Sequence, residues 1–318
     1  SLPIMAATIL AGGRSSLIGV PRLADITVLK DLLAQLGCRV DRRDDGLLSI
    51  DATTIDNPVG PYEIVRKMRA SVCILGPLLG RYGRAEVSMP GGCAIGDRPI
   101  NLHVRGLQEL GATIHLKNGY VIAEAPDGLR GASIFLGGSF GSTVLGTANI
   151  MMAATLAKGR TVIESAACEP EISDLANCLN EMGARISGIG SPRLVIEGVP
   201  RLHPVRYEVI PDRIEAGTFM VAAAITRGEL KLVNCRLDDM MAVVDKLRSV
   251  GVAVEPDEDG CTVAGTDHIR PTDVTTQPYP GFPTDLQAQL MALLALAEGN
   301  SVVIEKIFPD RFMHVAEL

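Results

Sequence analysis

Leu36-Gly37-Cys38-Arg39-Val40, Leu110-Gly111-Ala112-Thr113-Ile114, Met182-Gly183-Ala184-Arg185-Ile186 and Val250-Gly251-Val252-Ala253-Val254 are four versions of one phrase. Each reads as the end of a helix, a glycine and the start of a short strand. The phrase returns roughly every seventy residues, and self-similarity at a steady period marks a repeat architecture. Upstream lie apolar residues at helical spacing, such as Leu29, Leu32, Leu33 and Leu36, or Leu175, Leu179 and Met182. Each glycine stands where a left-handed C-terminal cap is wanted.

A second phrase recurs between these: a helix of small apolar residues, a glycine, then a β-branched strand. It occurs at Ile4–Ala11 before Gly12, at Ile150–Lys158 before Gly159, at Thr218–Arg227 before Gly228 and at Leu286–Glu298 before Gly299. A degraded copy spans Val65–Gly80. Together the phrases define a βαβαββ unit. Four units are nearly whole, and a fifth stops at its second helix near Met313–Leu318. Helices with one apolar stripe must bury it against a sheet or another unit, so the copies are expected to pack together as an α/β protein. The length favours two domains. The break at Pro200-Arg201-Leu202-His203-Pro204 places the first at 1–205 and the second at 206–318. A single continuous α/β domain is the alternative.

The composition narrows the class. Of 318 residues, 47% are hydrophobic and only 3% aromatic, with no Trp and a formal charge of −7. This is aliphatic globular packing. An acidic balance without Lys/Arg runs argues against a nucleic-acid or membrane-surface binder, though a few clustered Arg can still hold a small anion. The most apolar stretch, Leu286–Ala297, is too short to span a bilayer. Seven scattered cysteines without a C-x-x-C pair suit the reduced thiols of a cytoplasm rather than a disulfide framework or zinc site. None of the five His has metal-ligand spacing, so no metal is expected. Neither G-x-G-x-x-G after a strand nor a P-loop is present.

Chemistry concentrates in a few places. Pro90-Gly91-Gly92-Cys93-Ala94-Ile95-Gly96-Asp97-Arg98-Pro99 is a glycine-rich turn after a strand and before the expected helix Leu102–Leu110. Paired glycines let the backbone approach a ligand and leave the Cys93 thiol on a loop. Near Arg98 and a helix start that thiol could act as acid or nucleophile, or the loop could be a plain connector. Arg69 offers the fork that suits carboxylate and phosphate, or is a surface charge. Asp212-Arg213 and Thr284-Asp285 precede apolar helices and read equally as N-caps and first-turn acids.

Five blocks in one order carry a resemblance across essentially the whole chain: Lys67-Met68-Arg69-Ala70-Ser71, the Pro90–Pro99 loop, Pro211-Asp212-Arg213-Ile214-Glu215-Ala216-Gly217-Thr218-Phe219, Phe282-Pro283-Thr284-Asp285-Leu286-Gln287 and Phe308-Pro309-Asp310-Arg311-Phe312-Met313-His314. Together they resemble the UDP-N-acetylglucosamine enolpyruvyl transferases of peptidoglycan synthesis. The resemblance implies the two-domain enolpyruvyl transferase fold, an inside-out α/β barrel of βαβαββ units. It implies transfer of the enolpyruvyl group of phosphoenolpyruvate to the sugar 3′-hydroxyl by addition and elimination, without metal or organic cofactor. By the same resemblance Cys93 is the proton donor and the residue that forms a phosphoenolpyruvate adduct or is alkylated by fosfomycin. Asp285 is the candidate base for the sugar hydroxyl. Arg69 and Arg98 match cationic positions. Pro99, Ile100, Asn101, Leu102 and His103 match a stretch contacting the UDP-sugar, as do Ser142, Thr143 and Val144, with Thr284, Ile307, Phe308 and Arg311 on the second-domain side. The site is then an interdomain cleft that closes on substrate and keeps water from a reactive intermediate.

The chain departs from that pattern at its ends. It opens at Ser1-Leu2-Pro3, after the family's Lys-Asn pair, and stops before a sixth unit and the C-terminal Arg residues. These 318 residues alone are therefore expected to show little or no turnover. Enolpyruvylshikimate phosphate synthase shares fold and chemistry but lacks the Cys loop. A non-catalytic UDP-sugar-binding module is the reading from another class.

Overall fold

A computed structural model describes residues 1–91, 99–139 and 141–318. Its first elements are α1 (Leu2–Ala7), β1 (Arg14–Ile18), α2 (Ala24–Leu36), β2 (Arg39–Arg42) and β3 (Leu48–Asp51). The second repeat comprises β4 (Val59–Gly60), α3 (Tyr62–Val65), α4 (Leu75–Tyr82), β5 (Arg84–Ser88), α5 (Asn101–Glu109), β6 (Thr113–Lys117) and β7 (Tyr120–Glu124). The third comprises β8 (Ser133–Phe135), α6 (Val144–Ala154), β9 (Arg160–Glu164), α7 (Pro170–Glu181), β10 (Arg185–Ser187) and β11 (Arg193–Glu197). Beyond these come β12 (Arg206–Glu208), α8 (Arg213–Ile225), β13 (Glu229–Val233), α9 (Met241–Ser249), β14 (Ala253–Asp257), β15 (Gly260–Ala264), β16 (Val274–Thr275), α10 (Gln287–Leu294) and β17 (Val303–Ile304).

The repeat is visible in the pairing. Three four-stranded sheets share one plan, with orders β12-β1-β3-β2, β4-β5-β7-β6 and β8-β9-β11-β10. In each, the first pair is parallel and the others antiparallel. The repeating glycines Gly37, Gly111, Gly183 and Gly251 all have positive φ, between 94° and 110°, as a left-handed helix terminator requires. This is the inside-out α/β arrangement that the resemblance implies. Helix α6 is buried at every position from Gly146 to Ala154, and α4 from Leu75 to Leu79. A helix apolar on all sides belongs in a core. The sheets alternate instead: Thr161 and Ile163 of β9 are buried between exposed or half-buried neighbours.

The chain divides into two compact units, and the division falls between Ile210 and Pro211. Each has its own apolar core. The expected boundary at 205 is thus corrected by five residues, because 206–208 form β12 of the first unit. There Tyr207 stands opposite Leu17 of β1, and the Tyr207 hydroxyl donates to buried Asp174 Oδ1 on α7 at 2.6 Å. The prolines at 200 and 204 interrupt the pattern without ending the unit. Their segment feeds a parallel pairing whose partner lies at the start of the chain, and no local signal reveals that.

The second unit holds a three-stranded sheet, β13-β15-β14, and the parallel pair β16-β17. Helix α8 begins five residues before the expected Thr218, where Asp212 caps it by accepting from Ile214 N at 2.8 Å and Glu215 N at 3.1 Å. The helix expected near Met313–Leu318 is a single 3₁₀ turn, Met313–Ala316.

Candidate active site

In the first unit the described candidate residues sit on, or just ahead of, the closely packed helices α4, α5 and α6. A Cβ on Gly76 of α4 would lie 2.2 Å from the backbone oxygen of Asn149 on α6, so only glycine permits this approach. The close fit lets the Asn149 carboxamide work as a junction. Its Oδ1 accepts from Gly76 N at 2.8 Å, which satisfies a first-turn N–H of α4. Its Nδ2 reaches Val72 O at 2.9 Å and His103 Nδ1 of α5 at 2.9 Å.

This network sets the state of His103. Gly76 N–H identifies the oxygen of the amide, so the nitrogen faces the imidazole, Nδ1 accepts, and the proton of the neutral ring sits on Nε2. His103 is 4% exposed. Burial, with Arg69 adding a like charge, pulls its pKa down to about 4. At neutral pH His103 therefore offers an N–H donor without a charge. Arg69 opens the 3₁₀ turn Arg69–Ile74 that leads into α4 and is half-buried. Along the start of α5, Ile100 is buried, Leu102 half-buried, and Pro99 and Asn101 exposed. Ser142, Thr143 and Val144 precede or open α6, where Thr143 Oγ1 caps the helix by accepting from Gly146 N at 3.2 Å.

Cys93 and Arg98 lie outside the described residues. The other six cysteines are unpaired thiols. Burial pushes Cys38 up to about 11 and Cys73, Cys178 and Cys235 up to about 12, and raises Cys168 and Cys261 as well. All six are poor nucleophiles at neutral pH.

In the second unit the geometry gathers on loops. Asp285, in the 3₁₀ turn Thr284–Leu286, keeps 56% of its side chain exposed and is held by Arg311 Nη1 at 2.6 Å. Arg311 also donates to Thr284 Oγ1 at 3.2 Å, and its guanidinium carbon lies 5.9 Å from the centre of the Phe308 ring. Ile307 and Phe308 are fixed by their backbone N–H groups, which donate to Glu305 Oε1 at 2.7 and 3.0 Å. Thr284, Asp285, Ile307, Phe308 and Arg311 thus form one cluster: an accessible carboxylate, a cation beside it and an aromatic face. Such a cluster can accept a proton from a bound hydroxyl.

Sequence reasoning missed Asn149 and Glu305. Asn149 is the lone amide in the small-residue run Gly146–Ala154, and a polar group in an otherwise apolar helix was its available signal. Glu305 follows the β-branched run Val302–Ile304 and carries no comparable mark. Among the described residues, no helix is long and apolar enough to cross a membrane, and no cluster of His, Cys, Asp and Glu could hold a metal.

The fold is that of the enolpyruvyl transferases. The crystal structure of the enolpyruvyl transferase NikO from Streptomyces tendae superposes with a TM-score of 0.88 at 23% identity, covering 100% of this chain and 75% of that one. An EPSP synthase structure from Acinetobacter baumannii gives 0.70 at 18% identity, covering 94% and 70%. The family profile described as EPSP synthase (3-phosphoshikimate 1-carboxyvinyltransferase) matches residues 1–318. Among curated proteins, the UDP-N-acetylglucosamine 1-carboxyvinyltransferase of Methylacidiphilum infernorum (isolate V4) is 51% identical over 318 residues, covering 100% of this chain and 75% of the relative. Its namesake from Gluconobacter oxydans (strain 621H) is 53% identical over 317 residues, with the same coverage. With identity at that level along its whole length, the chain belongs to the UDP-N-acetylglucosamine 1-carboxyvinyltransferase family.

Proposed function

We propose that this protein transfers the enolpyruvyl group of phosphoenolpyruvate to the 3′-hydroxyl of UDP-N-acetylglucosamine, releasing phosphate in the first committed step of peptidoglycan synthesis. The observation that carries the reading is the accessible Asp285 carboxylate held by Arg311, in a chain half identical to proteins of that name. In the addition step Asp285 takes the proton of the sugar hydroxyl, whose oxygen bonds to C2 of phosphoenolpyruvate. Cys93 supplies a proton to C3, giving a tetrahedral ketal. In the elimination step a proton leaves C3 and the C2–O bond to phosphate breaks, restoring the double bond on the sugar ether. Arg69 and Arg98 balance the phosphate and carboxylate charges. His103, neutral, donates a hydrogen bond to the sugar-nucleotide side, where Pro99–Leu102 and Ser142–Val144 line the approach. This reading places the protein in the cytoplasm.

The test follows phosphate release and product mass with the protein as its gene encodes it. Phosphate should appear in step with a 1-carboxyvinyl adduct of UDP-N-acetylglucosamine. Turnover with 3-phosphoshikimate instead would make it an EPSP synthase, and sugar-nucleotide binding without turnover would make it a binding module. Fosfomycin should add once, on Cys93 by peptide mapping and faster with the sugar nucleotide. Equal labelling of several thiols would remove Cys93 from the mechanism, since burial disfavours the thiolate at the other six.

A further inference from the structure

We infer that Glu305 is the positioning residue for the acceptor side of this site, aiming Asp285 through a directed hydrogen-bond relay of Thr284 and Arg311. The inference rests on the reading of Asp285 as the base. The Glu305 carboxylate accepts four hydrogen bonds. Oε1 takes them from Thr276 Oγ1 at 2.7 Å, Ile307 N at 2.7 Å and Phe308 N at 3.0 Å. Oε2 takes one from Thr284 Oγ1 at 2.9 Å. The donors come from three segments: the residue after β16, the turn that carries Asp285, and the chain that continues to Arg311. One half-buried side chain therefore ties together every loop of the cluster.

The direction of these bonds gives the tie its function. A carboxylate only accepts, so both threonine hydroxyls must give it their single proton and have lone pairs left for other donors. Thr276 Oγ1 receives Lys306 N at 3.0 Å, and Thr284 Oγ1 receives Arg311 Nη1 at 3.2 Å. The second hydrogen of Nη1 goes to Asp285 Oδ1 at 2.6 Å. Gln287, buried at the start of α10, also holds the Arg311 carbonyl through Nε2 at 3.2 Å. An ion pair as exposed as Asp285–Arg311 has little orientation of its own. Anchored through Thr284 to Glu305, it acquires one.

Three variants and a double variant test the relay. Glu305→Gln keeps the shape but brings an N–H₂ group into the ring of donors. If that group faces Thr284 Oγ1 it competes with Arg311, and if it faces Thr276 and the two N–H groups it repels them. Thr284→Val removes the hydroxyl at nearly constant volume, and Thr284→Ser keeps it. Glu305→Gln and Thr284→Val should each lower kcat about 100-fold, the scale of a small misplacement of a catalytic group. The KM for phosphoenolpyruvate should hold, and Thr284→Ser, which keeps the hydroxyl, should recover most of the rate that Thr284→Val loses. The double variant should be no slower than the slower single one, as for groups that act as a unit.

Unchanged kcat in Thr284→Val, multiplicative losses in the double variant, or losses that track a falling melting temperature would overturn the relay. If Glu305→Gln fails to fold, the Val and Ser pair at Thr284 still decides the matter. An unsubstituted protein that performs no transfer strikes the functional reading, and this inference with it. Normal transfer with indifferent variants strikes only the inference.

Discussion

The two units hold their candidate residues by opposite means. In the first, Arg69 and His103 stand beside helices that meet with almost no space between them, joined by one buried amide, Asn149. In the second, Asp285, Phe308 and Arg311 stand on loops, gathered by the carboxylate of Glu305 near the surface. The difference suits the groups held. A neutral imidazole costs little to bury and gains a defined tautomer from a rigid setting. A carboxylate that must remain ionised is better left in water and oriented from behind. Rigidity in the first unit thus comes from backbone contact, and in the second from charge-assisted hydrogen bonds.

The most severe way to break this contrast is Gly76→Ala. The new methyl group would meet the Asn149 backbone oxygen at 2.2 Å, and a backbone atom cannot rotate away. Helix α4 must move off α6, stretching the Gly76–Asn149 hydrogen bond. Alanine is the better helix former by about 1 kcal/mol, yet overpacking of this kind costs about 3 kcal/mol, so the net change is destabilising. Urea unfolding should show a lower midpoint. A midpoint at or above that of the unsubstituted protein would mean the helices are not locked at this contact.

A subtler probe uses pH. The His103 pKa falls from 6.5 in an open chain to about 4 in the fold, because burial and Arg69 both disfavour the imidazolium. The unfolded chain binds the proton more readily between those values, so stability rises with pH there. The contribution is complete above about pH 6.5, declines as pH falls toward 4, and changes no further below. Its full size is of the order of 3 kcal/mol at about 1.4 kcal/mol per pH unit. Subtracting the unfolding curve of His103→Gln from that of the unsubstituted protein should isolate this slope. Parallel curves from pH 7 to 4 would show that His103 is not held neutral.

These probes also show what could be read from the sequence. The repeat was legible because a glycine terminator and an apolar stripe recur in phase, whereas the inside-out arrangement of the units came from the resemblance. Asp212 was legible as a cap for the same local reason. The boundary was misplaced because β12 answers to β1, and Val205 N is bonded to Ser15 Oγ, 190 residues earlier. Resemblance named Asp285 and Arg311 as candidates, but their direct contact, at 2.6 Å, is a fact of three-dimensional closure. Asn149 and Glu305 act on other side chains, and that action has no one-dimensional trace.

The mildest probe returns to the contrast between the units. Gly217 of α8 looks as crowded as Gly76, since a Cβ there would lie 2.4 Å from Leu286 Cδ1, with Met240 Cε at 3.3 Å. Both neighbours, however, are the far ends of side chains with rotamers to spare, and Met adapts readily. Gly217→Ala should therefore cost about 1 kcal/mol from displaced packing, largely offset by alanine's gain in a helix. Leu286 adjoins Asp285, so the displaced side chain tests the looser unit where it matters. Unfolding should change little, and the transfer rate should fall by less than about tenfold if Glu305 and Thr284 hold Asp285 against the disturbance. A stability loss equal to that of Gly76→Ala would show that the second unit is packed as rigidly as the first, and the distinction between backbone and side-chain closure would fail.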